Sequence, residues 1–174
     1  MSASDAGQAI AEFGIAAIPL LLLLLGILQF AFIYNAQVGL TNGVRDAARY
    51  GSTLIANDNG TATTAADRTY GFLATSLGKY VAPFSPSRLV SGSGQSEVCY
   101  EQRDDGTNSD PDPVWVKVRA TYDHPLLVPI INLIIDAFDG ASDGSFRITT
   151  EVELRVSNPA EPAPNVTIVP CDFS

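Results

Sequence analysis

The sequence predicts an α+β protein: a long N-terminal transmembrane helix continuing into a small domain, where an antiparallel sheet packs on helix. Three observations predict it. Residues 13–44 carry no charged side chain. Residues 62–80 repeat apolar positions at helical spacing. Two later stretches, Val114–Tyr122 and Phe146–Val156, alternate apolar and polar residues with the period of a strand.

Each element has its own warrant. Phe13 to Tyr34 reads FGIAAIPLLLLLLGILQFAFIY, 22 residues without a charge. A helix of about 20 residues rises about 30 Å, the thickness of a bilayer's hydrocarbon core. The six leucines Leu20–Leu25 favour insertion, and Tyr34 stands where an interfacial aromatic anchors a helix end. A cleaved secretory signal is the competing reading. Its apolar region should be shorter, about 7 to 15 residues, and end in a small-x-small site, which FAFIYNAQV does not offer. Pro19 and Gly26 interrupt the run, as is tolerated inside a membrane where helices pack or bend. Gln29 is the one strongly polar side chain well inside it. It either hydrogen-bonds another helix or lies near the interface on a tilted one.

Past Tyr34, the residues Val44, Ala47, Ala48, Gly51 and Ile55 recur at helical spacing, so the anchor helix is expected to run to about Ile55 and break at Asn57–Gly60. In 62–80, Ala66, Tyr70, Leu73, Leu77 and Tyr80 share one face, and Pro83 and Pro86 stop the helix. In the first strand Val114, Val116, Val118, Ala120 and Tyr122 oppose Trp115, Lys117, Arg119 and Thr121. In the second, Phe146, Ile148, Thr150, Val152 and Leu154 oppose Arg147, Thr149, Glu151, Glu153 and Arg155. Arg88–Val90 and Glu97–Tyr100 are weaker strand candidates. Leu126–Phe138, LLVPIINLIIDAF, is short for a bilayer span; it is expected as a buried or surface-lying helix, with membrane-interface and subunit contacts as alternatives. The tail from Asn158 is proline-rich and expected to be extended. Domain boundaries follow: residues 1–7, a helical anchor over 8–56, and a domain over 62–174.

Charge and rare residues exclude several functions. The chain has 19 Asp and Glu against 10 Lys and Arg, a net charge of −9. All ten bases and 17 acids lie from Arg45 onward, which leaves that part at −7. Nothing in so acidic a chain would neutralise a row of phosphates, so no nucleic-acid partner is expected. One His and two Cys make a metal or haem enzyme improbable. No zinc spacing or phosphate loop occurs, so no enzyme activity, cofactor or small-molecule substrate is expected. His124, beside Pro125, reads as a turn residue at a strand end. The acidic loop Asp104–Asp112 lacks the glycine and distal glutamate of a calcium-binding EF-hand and reads as solvated. Cys99 and Cys171 are the only cysteines. They form either a bridge that pins the tail or two unrelated thiols. A bridge would add roughly 4 kcal/mol in the chain-entropy model and would indicate an oxidising compartment.

The N-terminus carries the sharpest signal. In MSASDAGQAIAEFG, Gly7 is followed by four uncharged residues, then Glu12, then Phe13 and the apolar run. Glycine lets the backbone sit closely in a protease cleft because it has no Cβ. A glutamate at the apolar edge wants a cationic partner. This order resembles the processing site of type IV prepilins. The resemblance implies that a prepilin peptidase cuts between Gly7 and Gln8, making Glu12 the fifth residue of the mature chain. Glu12 would then pair with the new α-amino group of an adjacent subunit, and Phe13, Pro19 and Gln29 would join the packing between subunits. The bland alternative for Glu12 is an ordinary flanking residue at the bilayer surface.

The segment after the membrane run sharpens the family. Leu40, Asn42, Arg45, Ala47, Ala48 and Arg49 form an L-x-N-x-x-R-x-A-A-R pattern. With the early glutamate and the Leu-rich helix, it resembles the TadE-like family, bitopic pilus-assembly proteins of the tight-adherence (Tad) secretion system. The resemblance is specific over residues 7–51 and general beyond. It implies a minor pilin or pseudopilin in the cytoplasmic membrane, with a cytoplasmic N-terminus and an external domain. Its partners would be the peptidase and other pilins or pseudopilins of a Tad-type machine. Arg45 and Arg49, the i,i+4 pair past the helix, read equally as a solvated face. Counted by the positive-inside rule they favour the opposite orientation. The competing class is a bitopic surface protein whose domain binds a ligand or adheres, with no filament role.

Overall fold

The computed structural model describes residues 3–54, 62–92, 94–103, 113–127 and 144–156. In chain order these form helix α1 (Ala3–Leu54), helix α2 (Ala62–Tyr80), a 3-10 turn (Pro86–Arg88), and strands β1 (Glu97–Gln102), β2 (Val114–Pro125) and β3 (Ser145–Arg155). The class is α+β, as the sequence predicts. The acidic loop, the Asn57–Gly60 break, the proline-rich tail, Cys171 and most of Leu126–Phe138 lie outside the described residues.

The chain divides into two compact units, Met1–Tyr34 with Pro125–Phe146, and Asn35–His124 with Arg147–Ser174. The first contains the apolar run. Pro19 stands inside α1 without ending it. Ile10, Phe13, Ile15, Ile18, Leu20 and most of their successors to Tyr34 are exposed. One helix among the described residues, Gly7–Leu54, is long and apolar enough to cross a bilayer.

The second unit holds the core. The latter half of α1 and α2 form an antiparallel pair, Gly39 meeting Tyr80 and Gly51 meeting Thr69. Small residues on α1 let the backbones approach. A Cβ on Gly39 would collide with the Tyr80 carbonyl oxygen, and one on Gly43 would stand 2.6 Å from Leu77 Cδ2. With Ala47 and Gly51 these positions repeat every fourth residue, one stripe along a helix. Leu40, Val44 and Ala48 are buried beside it, and Leu73 and Leu77 of α2 are buried too. Tyr50 and Phe72 stack with ring centroids 4.4 Å apart. Tyr80, expected on the buried face, is 41% exposed and donates its hydroxyl proton to Asp46 Oδ2 at 2.7 Å. That carboxylate, through the hydrogen bond and then its charge, raises the Tyr80 phenol above its ordinary range.

The sheet has the order β1-β2-β3. β1 and β2 are antiparallel, with Cys99 opposite Lys117 and Tyr100 opposite Val116. The side chains of Arg119 and Asp123 on β2 meet Glu151 and Arg147 on β3, so that pair is antiparallel too. β2 follows the expected alternation, with Val114, Val116, Val118, Ala120 and Tyr122 buried. β3 follows it weakly: Ile148 is buried, but Phe146, expected inside, is 37% exposed. The inner face is tied to both helices by Tyr100, whose hydroxyl donates to the Gly51 carbonyl at 2.9 Å and lies 3.3 Å from Thr69 Oγ1. Tyr122 donates to the Pro83 carbonyl at 2.9 Å and stacks on Phe84.

Two further expectations are corrected. Arg88–Val90 is not a strand; Pro86 starts a 3-10 turn, and Leu89 makes only an isolated bridge to Tyr122. Proline's fixed φ and missing N–H suit the first position of such a turn and not a ladder. His124 is not a turn residue. It lies in β2, fully buried, edge-on to the Tyr122 ring. The alternation of the strand simply continues two residues further than its apolar composition shows.

The glycine stripe makes a sharp contrast testable. Gly39→Ala should destabilise the domain by about 1–3 kcal/mol, because the new methyl meets backbone that cannot yield. Gly71→Ala, on α2 with nothing within 4 Å of its Cβ, should instead stabilise it by about 0.5–1 kcal/mol. Equilibrium unfolding of the two variants measures both signs.

Candidate functional site

The first candidate region is the beginning of α1. Gly7 is helical and exposed, and a Cβ there would meet nothing within 4 Å. Packing within this chain therefore gives no reason for glycine, although glycine inside a helix costs about 1 kcal/mol relative to alanine. One turn on, Gln8 Nε2 donates to Glu12 Oε1 at 2.9 Å. The i,i+4 spacing puts both on one helix face. Phe13 is 75% exposed. Glu12 and Phe13 thus stand at the head of a bare apolar surface, with one polar contact supplied by their own helix.

Gln29 has a different setting. It is buried, while Leu28 and Phe30 beside it are exposed. Its Oε1 accepts the Leu127 N–H at 3.0 Å, a partner within the same unit. The Leu126 N–H donates to the Gly144 carbonyl at 3.0 Å.

The family-pattern residues separate by face. Leu40, Ala47 and Ala48 are buried against the domain, Asn42 is half-buried, and Arg45 and Arg49 are exposed. The two arginines stand on the side of α1 opposite the glycine stripe.

The second region is the outer face of the sheet, carrying Cys99, Lys117, Arg119, Asp123, Arg147 and Glu151. Arg119 reaches Glu151 through Nε and Nη2 at 2.9 and 2.7 Å, and Lys117 Nζ reaches its other oxygen at 3.0 Å. Arg147 forks onto Asp123 at 2.8 and 3.2 Å. Arg103 pairs with both Glu101 and Glu153. Burial alone would push the Glu151 carboxyl up. Hydrogen bonds from Lys117 and Arg119, and their charge, outweigh it and hold the carboxyl below its ordinary value. The same logic raises Arg103, chiefly through its bond to Glu101. Cys99 is fully buried on this face and is disulfide-bonded. Among the described residues no group of three or more His, Cys, Asp or Glu is placed to hold a metal.

Sequence reasoning singled out Gly7, Glu12, Phe13 and the arginines. It missed the contact between Gln29 and Leu127, 98 positions apart, and the close approach at Gly39 and Gly43. A signal for the second existed in the four-residue repeat of small residues.

The family model described as TadE-like protein matches residues 7–49. That is the stretch that holds the Gly7–Glu12 segment, the exposed apolar helix and the arginine pair. No curated protein and no solved structure matches the chain.

The ladder on the outer face gives a pH prediction. Because the folded Glu151 carboxyl titrates below its unfolded value, its stabilisation is present above the unfolded pKa of about 4.3 and is lost as pH falls through the folded one. Glu151→Gln should therefore lower stability by about 1 kcal/mol at neutral pH and leave it unchanged in strong acid. Urea unfolding at the two pH values measures the difference.

Proposed function

We propose that this chain is a membrane-anchored TadE-like minor pilin or pseudopilin that acts in assembling a tight-adherence type IV pilus. The observation that carries the reading is the coincidence of two things on one segment. Residues 7–49 match the family model, and within them α1 exposes an apolar surface long enough to cross a bilayer. Water would not tolerate that surface bare, whereas lipid and neighbouring helices would.

In this reading a prepilin peptidase cuts between Gly7 and Gln8. The unexplained glycine at position 7 supports it, since a narrow protease cleft is a reason for glycine that the fold does not supply. Cleavage leaves an α-amino cation on Gln8, one turn before Glu12. The Glu12 carboxylate, bonded to the Gln8 side chain within its own chain, then takes the α-amino group of an adjacent subunit as its cationic partner. Phe13 and Pro19 supply apolar contacts between helices, and the protein has a mechanical and not an enzymatic role.

The domain stands outside the cytoplasm. Cys99 is disulfide-bonded, and a bridge to Cys171, the only other cysteine in the sequence, would persist in an oxidising compartment. Arg45 and Arg49 lie 11 and 15 residues past Tyr34, about 16 and 22 Å along the helix. At that distance they still count toward orientation and favour the opposite one, so the external placement is carried by the disulfide.

Mass spectrometry of the protein from membranes should find a chain starting at Gln8; an intact start at Met1 or Ser2 would overturn the proposal. Glu12→Ala should still be cleaved yet assemble few pili, counted by electron microscopy, and normal piliation would refute the charge pairing. Alkylation of Cys99 and Cys171 should require prior reduction.

A further inference from the structure

We infer that the end of the β2–β3 hairpin, at Leu126–Leu127 and Gly144–Phe146, enters the bilayer beside α1 as a second, non-spanning membrane contact, with Gln29 as the polar clasp that holds it at depth. The inference rests on α1 spanning the membrane, as proposed above.

The Gln29–Leu127 contact sets the depth. The uncharged run Phe13–Tyr34 is centred between Leu23 and Leu24. At 1.5 Å per residue Gln29 lies about 8 Å from that centre, whereas the hydrocarbon extends about 15 Å to each side. The Leu127 N–H, bonded to Gln29 Oε1 at 3.0 Å, therefore lies several ångströms inside the apolar layer. Burial along α1 agrees. Gln29 and Ile33 are buried and Leu25 and Gly26 half-buried, one stripe on a helix otherwise bare from Ile18 to Tyr34.

Non-helical backbone at such a depth survives only where its polar groups are satisfied by protein. Two of its donors meet that condition: Leu127 N–H bonds to Gln29, and Leu126 N–H bonds to the Gly144 carbonyl at 3.0 Å. A strongly polar residue in a leucine-rich helix thereby acquires a reason. The side chains fit the same solvent, since Leu127 is 50% exposed and Phe146 is partly exposed. Leu126–Phe138 carries a single charge, Asp136. A second copy of the chain is the other conceivable cover for these apolar groups. The depth of the contact favours lipid, because it brings the hairpin end to the level of the acyl chains.

Depth-resolved fluorescence of the full chain in phosphatidylcholine vesicles tests this. Trp115 is the only tryptophan, so Trp115→Phe gives a silent background in which Leu127→Trp is the reporter and Leu21→Trp marks the span. Far-UV circular dichroism checks folding, and Phe146→Trp replaces Leu127→Trp if that variant fails. The expected result is that lipid brominated on the upper acyl chain quenches the reporter while aqueous iodide does not. Quenching by iodide would overturn the inference, as the hairpin end would be in water. Protection from both quenchers would also overturn it, by showing cover from a second copy. If Leu21→Trp is not quenched by lipid brominated deep in the chain, the span itself fails and this inference with it. Adding Gln29→Leu should weaken bromolipid quenching of the reporter and admit iodide; no change would remove Gln29 from its role as clasp.

Discussion

The exposed domain depends on how closely α2 can approach α1. Two helices carrying ordinary side chains pack with axes about 8–10 Å apart. Here glycine at 39 and 43 and small residues at 47 and 51 let the Tyr80 carbonyl and the Leu77 side chain reach the α1 backbone. The approach aligns Thr69 with Gly51, and the Tyr100 hydroxyl bridges the two helices from the sheet. Tyr100 lies opposite Val116 in β2, so the helix pair also fixes how the middle strand presents its apolar face. α1 thus does different work along its length. Its first half presents bulky apolar side chains outward, and its second half withdraws them so that another helix can dock.

The acidity of the chain is distributed by the same economy of faces. The sheet buries valines and tyrosines inward and turns lysine, arginine and carboxylates outward in alternating partnership. Surface pairs of this kind contribute little each. Glu151, reached by two cations at once, is the member whose geometry gives the pairing weight. The arginines at 45 and 49 belong to a different surface, α1's outward side, which the domain leaves uncovered. Nothing in the charge pattern resembles a polyanion-binding face, and the acidity suits solubility.

Much of this was legible in the residues, because burial imposes periodicity. The charge-free block and the recurrence of Val44, Ala47 and Ala48 mark α1, Leu73 and Leu77 mark α2, and the valines of β2 alternate with cations. The failures share a cause: the deciding partner is remote in sequence. Gly39 and Gly43 have no evident role until the Tyr80 carbonyl and the Leu77 side chain are seen against them. Gln29 left two readings open because its partner, the Leu127 amide, has no side-chain signature. His124 looked like a turn residue because a proline follows it, yet the strand carries it into the core. Phe146 looked inward by alternation, but it lies near the start of β3 and is exposed. Gly7 and Glu12 stood out at once, because the spacing between them is local.

Cys99 occupies an outward-facing position on β1 and nevertheless has no accessible surface. Exchange of a disulfide requires a thiolate to reach one of its sulfurs along the S–S axis, and at Cys99 no such approach is open from solvent. Attack on the Cys99 sulfur therefore has to wait until the sheet opens locally, which directs any reductant to the other end of the bridge.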